Sequence, residues 1–310
     1  MLSNAVEVGG LYVGYDRYNY VLQDISFDVP RNTICVVVGP NGSGKSTLFR
    51  TIVGVLRPAK GYVRVLGMDP CLDDVKKLIG YLPEGSRVYP MLSVWENLEF
   101  FAKIYGVDLD RVNQVLEAMK LGSYRNKLAG SLSQGLRKRL ALARAIMHSP
   151  EVLVLDEPFT ELDIESLGIV RNIIREYIEV YGRTVILSTH RNEEIEMMSS
   201  LSPNMKLVIL KNGKLISTYT YDELRSHTRN VEVIIRFPSE QTDKAVAVLE
   251  MENIDIVEKH PGFIIVRVDN LLNDVPRIIK MLNAMNINVY EVKPLRTALE
   301  SMLELLLVEK

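Results

Sequence analysis

The residues GPNGSGKST, at positions 39 to 47, combine three glycines with a lysine and three hydroxyl side chains. The glycines let backbone N–H groups face a phosphate, because no side chain stands in the way. Lys45 can reach the β and γ phosphates of a nucleotide, and the Ser46 hydroxyl can bind Mg²⁺. The apolar stretch TICVVV precedes them, and a helix starting near Lys45 would present its positive N-terminus to the same anion. The sequence therefore predicts a P-loop that binds nucleotide through Gly39, Pro40, Asn41, Gly42, Ser43, Gly44, Lys45, Ser46 and Thr47.

A second group of residues that could do chemistry lies in VLVLDEP, at positions 152–158. Four apolar residues predict a buried strand that carries Asp156 to the phosphate end of the sheet. There Asp156 would hold the Mg²⁺ shell, and Glu157 would polarise the attacking water. Alone, an apolar run ending in Asp-Glu is a common strand terminus. Together with a P-loop, it predicts hydrolysis of a nucleoside triphosphate.

The surrounding elements must bring these two groups together. Short strands with a turn are predicted over residues 5–29, ahead of the buried strand TICVVV. Residues from about 93 to 148 lose strand character and carry apolar residues at helical spacing, which predicts a helical insertion. Strands return at VLVLD and TVILST, and KLVILKNGKLIST predicts a hairpin that turns at Asn212-Gly213.

The segment from about residue 229 onward predicts a separate small domain. Strand-like and helix-like stretches alternate there in the order of a split βαβ, ferredoxin-like module. A closing helix, ALESMLELLLVEK, carries more apolar residues than one face needs to cover a small sheet, which favours a contact role. No phosphate loop, metal cluster or nucleophile–base pair is visible in this segment, so no chemistry is assigned to it.

The stretch SLSQGLRKRLALARAIMH, directly before VLVLDEP, resembles the signature of ABC ATPases, usually LSGGQ followed by a basic, Ala-rich helix. The resemblance implies that Ser133, Gln134 and Gly135 form the signature contact with ATP held by the P-loop of a second subunit. A helix N-terminus with a hydroxyl and an exposed amide suits that contact. By itself, the stretch would also fit an amphipathic helix with a Ser N-cap.

Further matches extend the resemblance over about residues 5–225. Tyr15 stands where family members stack an aromatic ring on adenine, although neighbouring tyrosines could equally be packing residues. His190, at the end of TVILSTH, matches the family's switch histidine that contacts the γ-phosphate. Asp163 in TELD matches the loop that crosses the dimer interface.

The resemblance implies a P-loop α/β core with a mostly parallel sheet, flanked by an N-terminal antiparallel β subdomain and a helical subdomain. We expect the ATPase domain to span residues 1–228, with the helical subdomain at about 90–148, and a small α+β domain to span 229–310.

The chain departs from the family pattern at two places. Glu84, in IGYLPEGSRVYP, stands where the family usually has a glutamine that touches Mg²⁺ and senses the membrane partner. A carboxylate can still serve as an oxygen ligand of Mg²⁺, so Glu84 joins Ser46 and Asp156 as a predicted metal residue. Gln134 and Leu136 alter the signature itself, without removing a group that the chemistry requires.

Composition limits where such a protein could work. Lys plus Arg (37) nearly balances Asp plus Glu (39), so no global field favours nucleic acid. The two cysteines have no other metal-ligating residues near them in the sequence, and so few cysteines are consistent with a reducing cytoplasm. The sequence predicts neither a signal peptide nor an apolar stretch long enough to span a bilayer. A membrane role would therefore be peripheral, on the cytoplasmic face.

One P-loop and one signature in the chain imply a head-to-tail homodimer or pseudo-dimer that sandwiches two ATP molecules. The predicted function is that of the ATP-hydrolysing subunit of an ABC transporter, taking ATP and Mg²⁺ and driving separate integral membrane permease subunits. The closing segment VYEVKPLRTALESMLELLL resembles export-type members, so an exporter is expected. The alternative is a soluble ABC ATPase, or a regulatory ATPase switch, not coupled to transport.

Overall fold

The computed structural model describes residues 4–16, 19–202, 204–220, 223 and 231–295. The chain divides into two compact units, Met1–Thr220 and Tyr221–Lys310. The boundary predicted after residue 228 falls in the stretch 224–230, outside the described residues. Each unit has its own cluster of buried apolar side chains.

The strands of the first unit form two sheets. Within the described residues, one is a six-stranded sheet of order β5-β6-β7-β3-β8-β9 and the other a three-stranded sheet of order β2-β1-β4. The strands are β1 (Asn4–Gly14), β2 (Tyr20–Pro30), β3 (Ile34–Val38), β4 (Lys60–Val65), β5 (Ile79–Leu82), β6 (Val152–Leu155), β7 (Thr184–Thr189), β8 (Lys206–Lys211) and β9 (Lys214–Thr220).

The six-stranded sheet is parallel except for β9, which returns antiparallel to β8. Every residue of β3, β6 and β7 is buried, as expected of parallel strands covered on both faces. These three strands are neighbours, so their carboxyl ends meet at one edge. The residues that follow them are the P-loop, Asp156 and His190, and the topology gathers all three at that edge.

Helices connect these strands and form the insertion expected at about residues 90–148. Ser93 and Glu96 make a capping box at the start of α3, which satisfies two backbone donors that a helix leaves unpaired. The helices of this unit are α1 (Lys45–Ile52), α2 (Asp73–Lys76), α3 (Val94–Tyr105), α4 (Leu109–Ala118), α5 (Gln134–Ile146), α6 (Ile164–Glu179) and α7 (Asn192–Ser199).

The antiparallel sheet and the hairpin also agree with the sequence. β1 pairs with both β2 and β4 in antiparallel register. The turn between β8 and β9 places Asn212 at φ 51° and Gly213 at φ 74°. Two successive left-handed residues are what an Asn-Gly hairpin turn requires.

The second unit is a four-stranded antiparallel sheet of order β11-β12-β10-β13 with two helices, within its described residues. Its order along the chain, β-α-β-β-α-β, is the split βαβ arrangement that the sequence predicted. Its core joins alternate residues of β10 and β12 to the apolar faces of α8 and α9. The elements are β10 (Val231–Arg236), α8 (Thr242–Met251), β11 (Asp255–His260), β12 (Phe263–Val268), α9 (Leu271–Ala284) and β13 (Glu291–Pro294).

The closing helix predicted over ALESMLELLLVEK lies outside the described residues. Among the helices that are described, none is long and apolar enough to cross a membrane.

Candidate functional site

A cavity of about 640 Å³ opens at the edge of the sheet where β3, β6 and β7 end. Predicted P-loop residues line one side of it, and Glu84, Glu157 and His190 line the others. Gly39 and Pro40 are not among its lining residues. The lining residues are Val21, Asn41, Gly42, Ser43, Gly44, Lys45, Ser46, Thr47, Glu84, Gly85, Ser86, Lys138, Glu157, Thr160, Glu161 and His190.

Two glycines of the P-loop are required by its geometry. A Cβ atom on Gly39 would lie 2.3 Å from the Leu210 carbonyl oxygen, so no larger residue fits. Gly44 caps the N-terminus of α1 at φ 102°, a conformation that L side chains rarely adopt. The loop can therefore turn directly from β3 into α1. The first backbone N–H groups of α1 have no partner within the helix, and the residues that carry them line the cavity.

Lys45 is the cation of this loop. Its side chain is 7% exposed, and Nζ donates to the carbonyl oxygens of Gly39 (2.8 Å) and Pro40 (3.3 Å). The same Nζ lies 3.6 Å from Oε1 of Glu157. The structure thus brings the lysine and the carboxylate, which are far apart in the chain, to one point.

Asp156 is fully buried at the end of β6. The hydroxyl of Ser188, on the adjacent strand β7, donates to Oδ1 of Asp156 at 2.7 Å. The other oxygen, Oδ2, has no hydrogen-bond partner among the described residues. A buried carboxylate oxygen without a donor is costly unless a cation or water meets it, so this oxygen fits a Mg²⁺ shell.

Glu157 follows Asp156 with its backbone in the left-handed region, at φ 49°. Its N–H donates to the Ser188 hydroxyl at 2.8 Å, and its carbonyl oxygen accepts from Lys138 Nζ. Its carboxylate Oε1 lies 3.0 Å from Nδ1 of His190, which follows β7. The side chain of Glu157 is 12% exposed and that of His190 is 40% exposed, and both residues line the cavity.

Glu84 is an exposed residue of the cavity wall. It follows β5 and is succeeded by three residues with positive φ: Gly85 (79°), Ser86 (59°) and Arg87 (26°). Three such residues in a row are uncommon and mark a sharp turn of the chain directly after Glu84. Glu84, the predicted ligand of Mg²⁺, thus lies on a loop, and its side chain lines the same cavity as the P-loop.

Tyr15 lies beside the P-loop helix rather than in the cavity lining. It is 60% exposed, and its hydroxyl lies 3.1 Å from the Thr47 hydroxyl and accepts from Arg50 at 2.9 Å. The ring is thus tied to α1 while its surface stays open to solvent. A flat exposed ring next to the phosphate loop is compatible with the predicted stacking on adenine.

The signature residues stand apart from the cavity. The Ser133 hydroxyl caps α5 by accepting from the Leu136 N–H at 3.3 Å. Gly135 packs against α6, where an added Cβ would lie 3.1 Å from the Ser166 hydroxyl. Asp163 caps α6 by accepting from the Ser166 N–H at 2.7 Å, and this bond lowers the pKa of its carboxyl. Within one chain, Ser133, Gln134 and Gly135 do not meet the P-loop.

The residues of the site that were missed at the sequence level include Lys138, Thr160 and Ser188. Ser188 could have been found, because it lies in β7 two residues before His190 and so at the same end of the strand. Helical spacing places both Lys138 and Arg139 on the face of Gly135 and Leu142, so the sequence alone could not distinguish Lys138 from Arg139. Thr160 carried no such signal, since its place depends on a turn.

Comparison with known proteins agrees with this geometry. The family model described as "ABC transporter" matches residues 22–160, which include the P-loop, the signature and Asp156. The chain is 31% identical over 287 residues to the "Uncharacterized ABC transporter ATP-binding protein YhcH" of Bacillus subtilis (strain 168). That match covers 92% of this chain and 90% of the relative. It is longer than the first unit, so the similarity extends into the second.

Solved structures show the same fold. An ATP-binding subunit of an ABC transporter matches with a TM-score of 0.64 and 26% identity, covering 71% of this chain and 92% of the other. The dimeric structure of the bacterial ABC transporter cassette MJ0796 matches with a TM-score of 0.62 and 23% identity, covering 69% and 98%. At that identity, the second match shows the fold alone.

These matches confirm, at the level of the family, the predicted ATPase activity, with ATP as the substrate and Mg²⁺ as the cofactor. The P-loop, the carboxylates of Asp156 and Glu157 and these matches lead to one conclusion: the chain belongs to the family of ABC transporter ATP-binding proteins.

Proposed function

We propose that the protein hydrolyses ATP in this cavity and that Glu157 polarises the attacking water. The observation that carries this proposal is the position of the Glu157 carboxylate, which stands between Lys45 and His190 at the phosphate end of the sheet. A general base must lie within hydrogen-bonding reach of the proton it removes, and the Glu157 side chain lines the cavity in which the attacking water would lie.

The other predicted residues take complementary roles. Lys45 and the backbone N–H groups of Gly42 to Thr47 bind the phosphates, and His190 contacts the γ-phosphate. Ser46, Asp156 and Glu84 would hold Mg²⁺, which neutralises charge on the phosphates when bound. Tyr15 stacks on adenine. The unpartnered Oδ2 of Asp156 supports the metal assignment.

A second copy of the chain would complete each site. Ser133 and Gln134 are exposed at the start of α5, Gly135 beside them is buried, and none of the three lines the cavity of its own chain. If they contact ATP, they must contact the ATP of another subunit, in a two-fold dimer. Asp163, at the start of α6 beside Gly135, would cross that interface. ATP favours the closed dimer because it contacts both halves only when they are closed.

The membrane partner would bind at a second cavity of about 330 Å³, between β5 and the helices α3 and α5. Its wall combines apolar side chains, including Phe101 and Tyr105, with Arg87 and Arg144. This cavity includes Ser86 and Arg87, which follow Glu84, and Glu84 stands where the family usually has the glutamine that senses the membrane partner. The chain would then act at the cytoplasmic face of the membrane. Outward transport remains a prediction from the closing segment, most of which lies outside the described residues.

Glu157→Gln tests the proposed chemistry. The amide cannot accept the proton, so ATP turnover should fall by about 10²- to 10⁴-fold, the usual contribution of a general base. Binding of ATP should persist, because Lys45, Ser46 and Asp156 are unchanged. Gel filtration with Mg-ATP should show a dimer that dissociates slowly. Turnover at the wild-type rate would exclude Glu157 as the base.

A further inference from the structure

Lys138 is a buried lysine that the chemistry described so far does not use. It lies in the second turn of α5, five residues after Ser133, and is 4% exposed. A lysine is seldom buried to this extent without a specific partner, because removing an ammonium group from water is costly. Its neighbour Arg137 is half-buried and donates to the Leu132 carbonyl oxygen instead.

The partners of the Lys138 ammonium group all belong to the segment that begins with Glu157. Nζ donates to the carbonyl oxygen of Glu157, to the hydroxyl of Thr160 (2.7 Å) and to the carbonyl oxygen of Thr160 (3.3 Å). The Thr160 hydroxyl in turn donates to the same Glu157 carbonyl oxygen at 2.9 Å. The three N–H donors of the lysine thus converge on one short turn.

That turn sets where the Glu157 carboxylate points. A non-glycine residue at φ 49° is uncommon, and surrounding contacts must hold it there. On one side, the Ser188 hydroxyl accepts from the Glu157 N–H. On the other side, Lys138 holds the Glu157 carbonyl oxygen. The peptide groups flanking the Glu157 Cα are therefore fixed by two different elements, β7 and α5.

The charges around Lys138 are consistent with this contact. Burial lowers the pKa of Lys138, while the nearby carboxylates of Glu161 and Glu157 oppose that effect. The hydrogen bonds to carbonyl oxygens are charge-assisted, and bonds of that kind are stronger than neutral ones.

We propose that Lys138 is a positioning residue: it holds the left-handed backbone at Glu157, so that the signature helix α5 sets the direction of the Glu157 carboxylate. This inference rests on the proposed function, in which Glu157 polarises the attacking water. Ser133 and Lys138 are separated by about 7.5 Å of continuous helix, at 1.5 Å per residue. A shift of α5 when Ser133 contacts ATP of the second copy would therefore reach Glu157 of the same chain, which belongs to the other ATP site.

The test compares Lys138→Met with Arg137→Met in the full-length protein. Methionine keeps the length of the buried side chain but donates no hydrogen bond. We expect the maximal ATP turnover of Lys138→Met to fall by about 10- to 100-fold, since small misplacements of a catalytic group have effects of that size. ATP affinity, measured by equilibrium dialysis, should change by less than about threefold. Arg137→Met removes a charge from the same helix without touching the Glu157 turn and should stay within about twofold of wild type.

A double-mutant cycle separates positioning from a general structural role. If Lys138 acts through Glu157, adding Lys138→Met to Glu157→Gln should cause no further loss of turnover, because the group being positioned no longer acts. Radiolabelled ATP allows the small residual rates to be compared. A melting curve and the dialysis experiment verify that each variant is folded. If Lys138→Met does not fold, Lys138→Gln replaces it, since an amide keeps some of the donors.

Three results would overturn the inference: unchanged turnover in the Lys138 variant, an equal loss in Arg137→Met, or losses that multiply in the double variant. Failure of the proposed function is a different result, because Glu157→Gln alone would then keep its turnover. A loss confined to Lys138 that disappears in the Glu157→Gln background would support the inference.

Discussion

At the scale of single residues, Glu84 introduces a carboxylate into a cavity that must accept a triphosphate. The cavity wall already holds Glu157 and Glu161, whereas Lys45, Lys138 and His190 are its basic residues. Negative charge near the phosphates disfavours nucleotide unless a cation lies between them. A carboxylate at position 84 therefore makes physical sense as a metal ligand and little sense as a direct phosphate contact.

Glu84→Gln should raise the Mg²⁺ concentration that gives half-maximal ATPase activity, by about threefold or more, because a charged oxygen ligand is lost. Nucleotide affinity without metal should change less. Glu161→Gln is the matched control, since it removes the same charge from the same cavity without being a predicted ligand. Superimposable Mg²⁺ titrations for Glu84→Gln and wild type would place Glu84 outside the metal's reach.

At the scale of elements, α3 and α5 face each other across the second cavity, and Arg144 links them. Its guanidinium lies 3.9 Å from the Phe101 ring centroid, and it donates to the Arg87 carbonyl oxygen at 2.7 Å. Burial lowers the pKa of Arg144. A guanidinium held against an aromatic ring and a loop carbonyl joins the helical insertion to the Glu84 loop. A movement of the helical insertion would therefore displace the Glu84 loop, and the reverse.

Phe101→Ala should weaken binding of the membrane partner, because it removes apolar surface from the cavity that we propose receives a permease helix. ATP turnover of the isolated protein should change by less than about twofold, since Phe101 is not in the ATP cavity. Ile104→Ala is the control, as Ile104 is exposed on the same helix outside the cavity lining.

The measurement is co-purification from detergent-solubilised membranes, with the captured protein identified by mass spectrometry. Loss of a polytopic membrane protein in Phe101→Ala, but not in Ile104→Ala, is the expected result. If both variants capture the membrane protein equally well, its docking site does not include Phe101.

At the scale of the whole molecule, two separate apolar cores indicate two folding units. The first core joins the antiparallel sheet, α1 and the parallel sheet, and the second lies within the ferredoxin-like unit. A unit with its own core can fold without the other. The catalytic residues predicted here all belong to the first unit, so we assign no chemistry to the second unit.

Truncation after residue 228 should leave a folded protein that binds ATP, because its core and cavity are intact. We expect weaker dimerisation, by roughly tenfold in dissociation constant or about 1.4 kcal/mol, or an altered basal turnover. Sedimentation and ATPase rates over a concentration series measure both. A second truncation after residue 295 tests whether the closing segment alone is responsible. Curves that coincide with those of the full chain would leave partner or ligand binding as the role of this unit.

Much of the site could be predicted from sequence because its motifs are local. The P-loop between β3 and α1, the carboxylates after β6 and the histidine after β7 each depend on a strand and the turn that follows it. Parallel strands bring their carboxyl ends to a common edge, so their adjacency was a reasonable expectation. The family resemblance supplied the remaining assignments, including Tyr15, Asp163 and the signature.

Only the tertiary structure decided how these residues are held. Arg137 and Lys138 are adjacent basic residues, yet one caps a local carbonyl and the other is buried against the Glu157 turn. Ser188 bridges Asp156 and the Glu157 N–H because β6 and β7 are neighbours in the sheet. Such contacts join residues that are distant in the chain, and no local pattern encodes them. The sequence by itself predicted which groups would do the chemistry, and packing between elements determined the direction in which each group points.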